Sequence, residues 1–385
     1  MAQNKIIKSA EFDSIVIGGG LSGLIAAFQL ESSGRKVALL EGLDTLGGSC
    51  RPSQSLAGTL DHSLKFFPDS PETIDALNWL SSVLGEQITW ECVEAPPVNY
   101  DDGKFKPFIG FGDQKIQTAS EVAAYGQARY LKLNRTPKDW IRILSESFTG
   151  TIVTQSNVTK MMVDDSFVIE LIVNGSKRYS GREILFCAAP QQLPLLLSEA
   201  SIPTRIRQRL AKGDFWTSVN LDLIHNSIIS DSRAVHVLKG ANEEPSVGLF
   251  HAPSPLADQS LGQVSQWMTL VHRDITEDAE AVASALKQIK RQVKRAYETS
   301  MDHVIQERIA VIPTSHGDLS GVFNDDGRWP KIDNLWVISS FLNSQRNVVG
   351  AIRQARTTLH SIMGESYQAI ESDSDLSLSS AIPTA

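Results

Sequence analysis

The spacing of hydrophobic residues changes period twice within the first forty positions. Phe12 to Ile17 is a short, β-branched, nearly continuous apolar run, the pattern of a strand buried on both faces, and it stops at glycines. Leu24, Ala27, Phe28 and Leu30 then recur at helical spacing up to Ser33-Gly34, and Lys36 to Leu40 forms a second buried strand closing on Glu41. Strand, helix and strand succeed one another within about thirty residues, the span of a βαβ unit.

Downstream, Ile74, Leu77, Leu80 and Leu84 predict a helix, and "PPVNYDDGKFKPF" reads as a turn-rich stretch. Two β-rich runs meet at an Asn174-Gly175 turn, and Ile184 to Ala188 leads into a proline. Residues 215 to 223, 246 to 251 and 263 to 272 read as strands, with Val219, Leu221 and Leu223 alternating as do Trp267, Thr269 and Val271. Between 276 and 299 an amphipathic helix presents Val282, Leu286, Ile289 and Val293 on one face. Its Lys287, Lys290, Arg291, Lys294 and Arg295 lie elsewhere and read as a solvated face rather than a docking surface. Leu335 to Ser339 supplies a late strand, followed by a helical face of Gly350, Ala351, Ile352, Ala355, Leu359 and Ile362. The polar, serine-rich residues 366 to 385 predict a disordered tail.

A chain of 385 residues suggests two or three domains. With 42% hydrophobic and 21% charged residues it has a soluble composition, and a formal charge of -8 argues against nucleic acid as a partner. Cys50, Cys92 and Cys187 are too few and too scattered for a disulfide framework, so a reducing compartment, the cytoplasm by default, is expected. The most apolar stretch, Ile15 to Leu30, carries four glycines and is shorter than the roughly 20 residues of a membrane span. Lys5 and Lys8 precede it, but Glu11 and Asp13 intervene and spoil the pattern of a cleaved signal.

Gly18, Gly20 and Gly23 occupy G-x-G-x-x-G positions at the strand-to-helix turn. The first glycine permits the tight turn, the second lets backbone approach a pyrophosphate, and the third lets helix pack on strand. The amides that open the helix, around Leu21 and Ser22, would then face the phosphates, with the helix dipole adding attraction. Glu41, at the end of the second strand, suits both ribose hydroxyls of an adenosine. A dinucleotide is therefore expected. There is no C-x-x-C, no H-E-x-x-H, no phosphate loop ending in Gly-Lys-Ser or Gly-Lys-Thr and no G-x-S-x-G, so no metal site and no hydrolase of those types is expected.

The segment that begins at Glu41, "EGLDTLGGSCR", adds a second glycine pair, Gly47 and Gly48, then Ser49, Cys50 and Arg51. Here the sequence resembles the FAD-binding superfamily of flavin amine oxidases, protoporphyrinogen oxidases and phytoene-type desaturases. The resemblance returns in residues 150 to 193 and in "NLWVISSFLNSQRNVVGAIRQARTTLHSIMG". It implies an α/β fold: a Rossmann-like FAD-binding domain with a parallel central sheet, and a discontinuous α+β substrate domain on a mixed or antiparallel sheet. Residues 1–65, 150–195 and 305–365 would form the first domain, and 66–149 with 196–304 the second. The glycine pair and Ser49 would lie along the pyrophosphate, Arg51 toward the flavin, Val158 against adenine, and Ala188 and Ser340 beside the cofactor. The helix start at Val349-Gly350-Ala351 would approach the flavin's pyrimidine edge, where a positive dipole end stabilises charge on reduced flavin.

Two departures stand out. The family usually has Arg or Lys directly after the glycine pair, whereas Ser49 and Cys50 intervene; and Ser339, Ser340 and Phe341 stand where small residues and an acid usually end the last strand.

The activity so implied is removal of a hydride from a C–N or C–C bond of a small, partly apolar substrate. With no second G-x-G-x-x-G unit for a nicotinamide, electrons would pass to oxygen or another acceptor. Arg51 either stabilises reduced flavin or an anionic substrate, or is a surface arginine over the pyrophosphate. His62 is either a proton-transfer group or a junction residue, His316 either a substrate-site residue or a structural one. Cys50 reads as a small hydrophobe, and Trp216, Phe250 and Trp267 as cavity lining or core. Two other functions share these motifs: a UDP-galactopyranose mutase-like flavoenzyme without net oxidation, and a non-catalytic FAD-bound binding module.

Overall fold

The computed structural model describes residues 10–112, 114–240, 243–275 and 278–364. The lysines before residue 10 and the tail expected over 366–385 lie outside the described residues. At the centre is a five-stranded, wholly parallel sheet of β1 (Phe12–Ile17), β2 (Val37–Leu40), β3 (Thr151–Val153), β4 (Gly181–Phe186) and β5 (Leu335–Val337). They lie side by side in the order β5-β4-β1-β2-β3.

Alternate residues of β1 serve opposite faces of this sheet. Val16 packs with α1 (Leu21–Ser32), α2 (Pro71–Leu84), α3 (Pro137–Ser147) and, beyond a fourth helix α4 (Ala279–Ala296), α5 (Val348–Met363), through Leu24, Leu77, Trp140 and Ile352. Ile15 and Ile17 pack instead on Met161, Val168, Leu171 and Val173 of a three-stranded antiparallel sheet. Burial on both sides explains why β1 reads as one apolar run. α1 is wedged so tightly that Leu21, Leu24, Ile25, Ala26, Ala27 and Leu30 are all 5% exposed or less. Truncating Leu24 to alanine there would leave a cavity and cost about 2–5 kcal/mol.

The second large sheet has eight strands. Its main path runs 304–317, 215–225, 261–272, 246–250, 235–238, 97–101 and 104–107, with the short 254–255 strand attached to 261–272. Neighbours are antiparallel except for 235–238 beside 97–101, so the sheet is mixed. α4 covers one face, where Leu221, Leu223 and Trp267 meet Ile289 and Val293. Its basic side is engaged locally: Lys290 pairs with Glu307, Arg291 with Glu243, and Arg295 donates to the Lys239 carbonyl.

The α/β architecture of parallel sheet plus mixed second sheet is as read from the sequence. Details differ. The "PPVNYDDGKFKPF" stretch forms a hairpin, Pro97–Asp101 with Lys104–Pro107, that continues the second sheet. Residues 304–317, placed by sequence in the nucleotide domain, pair with 215–225 in the second sheet. Conversely α2 and α3, placed in the substrate domain, cover the parallel sheet. A strand signal shows β-propensity but not which sheet will accept it.

Candidate active site

The glycine loop is held by backbone contacts that leave no room for side chains at two positions. Gly18 has φ +103°, and a Cβ there would lie 3.0 Å from the Ala188 nitrogen; a Cβ on Gly23 would lie 1.9 Å from the Gly18 carbonyl oxygen. Gly20 is different, for its Cβ would meet nothing within 4 Å. It caps α1 without any side-chain hydrogen bond, so the first amides of the helix, around Leu21 and Ser22, face a space where an anion fits. The glycine pair closes on the same loop: Gly47 N–H donates to the Gly19 carbonyl at 2.7 Å, and a Cβ on Gly48 would stand 3.4 Å from Gly20 Cα.

Glu41 is buried beside this floor. Its Oε2 accepts from Gly19 N–H at 2.6 Å and its Oε1 from Leu43 N–H at 2.8 Å. A carboxylate has about four acceptor sites, so both oxygens retain capacity for ribose hydroxyls.

From this floor a continuous cavity of about 1290 Å³ runs past Arg51 and His62 to the underside of the second sheet, at Ser218, Asn220, Met268 and His316. That exceeds the roughly 300–1,000 Å³ of a single small-ligand pocket. Several wall groups have no partner among the described residues despite burial: both amide atoms of Gln191, Oε1 of Gln345 and Oδ1 of Asn220. Buried polar atoms are ordinarily satisfied, and a polar ligand would satisfy these. Floor, carboxylate and orphaned wall groups together fit FAD.

Arg51 Nη2 lies 3.0 Å from His62 Nε2. A guanidinium only donates, so Nε2 accepts and the ring proton sits on Nδ1, which is buried without a partner among the described residues. Burial, aided by the cations of Arg51, Lys65 and Arg308, lowers the His62 pKa to about 4. His316 is placed by the end of the 304–317 strand, with Nδ1 2.8 Å from Ser315 Oγ and Nε2 3.3 Å from Tyr125 OH. Burial, then Lys65 and Arg346, lowers it to about 4 as well. Both imidazoles are neutral at pH 7. Burial raises the Cys50 thiol, keeping it protonated, in line with a quiet hydrophobe.

Of the residues singled out in the sequence, Gly18, Gly20, Leu21, Ser22, Glu41, Gly47, Gly48, Ser49, Arg51, His62, Val158, Ala188, His316, Ser340 and Ala351 line the cavity. Gly23 sits beneath the loop rather than on its surface. Val158 opens a strand of the three-stranded sheet instead of extending β3. Val349 and Gly350 are buried, and their amides are taken by the Asn347 side chain at 3.0 and 3.2 Å; Asn347, Val348 and Ala351 face the cavity in their place. Phe341 lines the cavity with a ring packed near Phe215, centroids 6.1 Å apart. Phe250 and Trp267 belong to the core under α4, and Trp216 packs with Met268 and Leu270.

Sequence reasoning missed Lys65, Tyr125, Ser218, Asn220 and Arg346, all of which line the cavity. One signal was available: in "FWTSVNLDL" Ser218, Asn220 and Asp222 alternate with apolar residues, marking a strand whose polar face is turned inward. Asp222 sits opposite both Arg308 and Gln266 in that sheet. It pairs with Arg308 at 3.2 Å and accepts from Gln266 at 3.0 Å.

The architecture is a parallel sheet carrying the glycine loop beneath a larger mixed sheet. Residues 16–80 match the NAD(P)-binding Rossmann-like domain family. (S)-6-hydroxynicotine oxidase of Paenarthrobacter nicotinovorans is 51% identical over 49 residues, 12% of this chain and 12% of that protein. The chain thus spans only a small part of the length of that relative. Among solved structures, cyclohexylamine oxidase from Brevibacterium oxydans superposes with a TM-score of 0.66 at 14% identity, covering 92% of this chain and 99% of that one. Putrescine oxidase bound to putrescine superposes with a TM-score of 0.63 at 12% identity, covering 91% and 99%. The chain shares their fold.

Proposed function

We propose that this protein is an FAD-dependent oxidoreductase that removes a hydride from a C–N or C–C bond of a small, partly apolar substrate, passing electrons on to oxygen or another acceptor. One observation carries the reading: the dinucleotide floor and the polar underside of the second sheet are walls of one cavity, so cofactor and substrate can share it. The fold held in common with amine oxidases supports it.

Bound flavin supplies the hydride-accepting chemistry, and the protein's share is position, charge and exclusion of water. The opening amides of α1 and the Gly47-Gly48 backbone would hold the diphosphate, and Glu41 the adenosine ribose. Ser340, Asn347 and Ala351 would border the ring end, with the N-terminal dipole of α5 directed at it. Neutral His62 accepts from Arg51 at Nε2 and keeps its Nδ1–H unused, so it would serve as a hydrogen-bond donor rather than a cation. Three free cysteines support a reducing compartment such as the cytoplasm, and among the described residues no helix is long and apolar enough to cross a membrane.

The test is FAD titration of the full chain followed by anaerobic mixing with candidate amines, tetrapyrroles and polyenes. A flavin band that appears on titration and bleaches with one substrate class is expected. No uptake of FAD would end the reading.

A further inference from the structure

The charges around the substrate end of the cavity do not match a cationic substrate. Arg51, Lys65 and Arg346 line the cavity, against the carboxylates Glu41 and Glu121. Glu41 lies at the adenosine end, bonded to backbone. Glu121 is held by Arg346 at 3.1 Å, and Arg346 also binds Asp318 at 2.8 Å, so this one guanidinium is taken up by two carboxylates and offers no free positive charge. Lys65 is different. It is half-buried and donates to Ser63 Oγ at 2.6 Å, and it makes no ion pair among the described residues.

Lys65 stands among groups that leave its charge uncompensated: the Asp222 carboxylate, within electrostatic reach, is already paired with Arg308 at 3.2 Å. His62 and His316 are neutral, and the lowering of both is partly due to the Lys65 charge itself, which places the ammonium within electrostatic reach of both imidazoles. His62 Nδ1–H, three residues away along the same cavity-lining segment, is a second donor with no acceptor among the described residues. A half-buried ammonium and an unsatisfied N–H beside it call for an acceptor carrying negative charge.

We propose, building on the flavoenzyme reading, that the substrate is an anion whose carboxylate is held by Lys65 with help from His62, and that alkylammonium compounds such as diamines are excluded by the same charge. Met268, Ile312 and Phe66 supply apolar wall of the same cavity, so an organic acid with an apolar body fits the site. The rejection of cations comes from like charges meeting in a water-poor cavity, where such juxtaposition is costly.

The experiment is calorimetry on the FAD-loaded full chain with three probes of one shape: benzoate, benzamide and benzylamine. Benzoate is expected to bind at least about tenfold more tightly than the other two. Lys65→Met should weaken benzoate by on the order of 10- to 100-fold, the range of one charge-assisted hydrogen bond, and leave benzamide unchanged. Lys65→Arg should retain most of the benzoate affinity, and matched thermal melts separate loss of binding from loss of fold. In Lys65→Met the affinity for FAD and the flavin midpoint potential should stay at wild-type values. Benzylamine binding more tightly than benzoate, no binding of any probe, or full benzoate affinity in Lys65→Met would each overturn the proposal. So would a lowered flavin potential with benzoate affinity intact, which would assign the charge to the cofactor. If FAD does not bind, the flavoenzyme reading fails alone, because Lys65-dependent benzoate binding to the FAD-free chain would still support an anion site.

Discussion

Three glycines in one turn do different physical work, and substitution separates them. Gly23→Ala would drive a methyl to 1.9 Å from the Gly18 oxygen, so loop and helix must part. A loss of stability of about 3 kcal/mol or more is expected, read as a lower midpoint in urea melts. Gly20→Ala puts its methyl into open space. Its melt should stay within about 1 kcal/mol of wild type, the cost of a surface change. FAD affinity should fall at least about tenfold, because the methyl occupies the ground a pyrophosphate needs. Equal FAD affinity in Gly20→Ala, measured by fluorescence titration, would count against the cradle. The positions of these glycines in the turn and of Glu41 beside it could be read from sequence because each is local, set by neighbours within one βαβ unit. Lys65, Asn220 and Arg346 could not, since their place on the cavity depends on distant segments of the chain meeting under one sheet.

At the scale of elements, the prediction concerns the start of α5. Asn347 accepts from the Val349 and Gly350 amides, so the helix reaches the cavity with its first turn already capped. Asn347→Ala removes that cap and should cost about 1 kcal/mol, visible as a lower melting temperature. A melt unchanged by the substitution would show that the cap contributes nothing. The sequence pattern located α5 correctly by its buried stripe, and the cap went unnoticed because "SQRNVVG" carries no capping box to announce it. Similarly, alternation revealed the strand at 215–225 but not that 304–317 would lie beside it. Pairing between strands so far apart in sequence leaves no local trace.

For the molecule as a whole, the buried imidazoles predict how stability varies with pH. Burial is the leading cause that brings His62, His225, His236 and His316 to about 4, against 6.5 when unfolded. The unfolded chain therefore binds protons that the folded chain refuses between about pH 6.5 and 4, and stability falls as pH drops through that window. Asp222 works in the opposite sense. Burial raises it from 3.8 to about 6, so its charged form opposes folding above that pH, and acidification through the same window relieves the cost. Four histidines outweigh one aspartate, and a net loss on the order of 5 kcal/mol is expected between about pH 7 and 4.5, after discounting for residual solvent. Urea melts at the two pH values would measure it; equal midpoints would refute the assignment of neutral, buried histidines.

The order β5-β4-β1-β2-β3 carries a consequence for how the chain is made. The first two strands are complete by residue 40, yet the opposite edge of their sheet is supplied only at Leu335–Val337, with α5 arriving after it. During synthesis the nascent N-terminal half must wait with β4's outer neighbour β5 missing and with the apolar face that α5 will cover still open. Such long-range closure is slow, and newly made protein would be most prone to aggregation in the interval before β5 and α5 emerge.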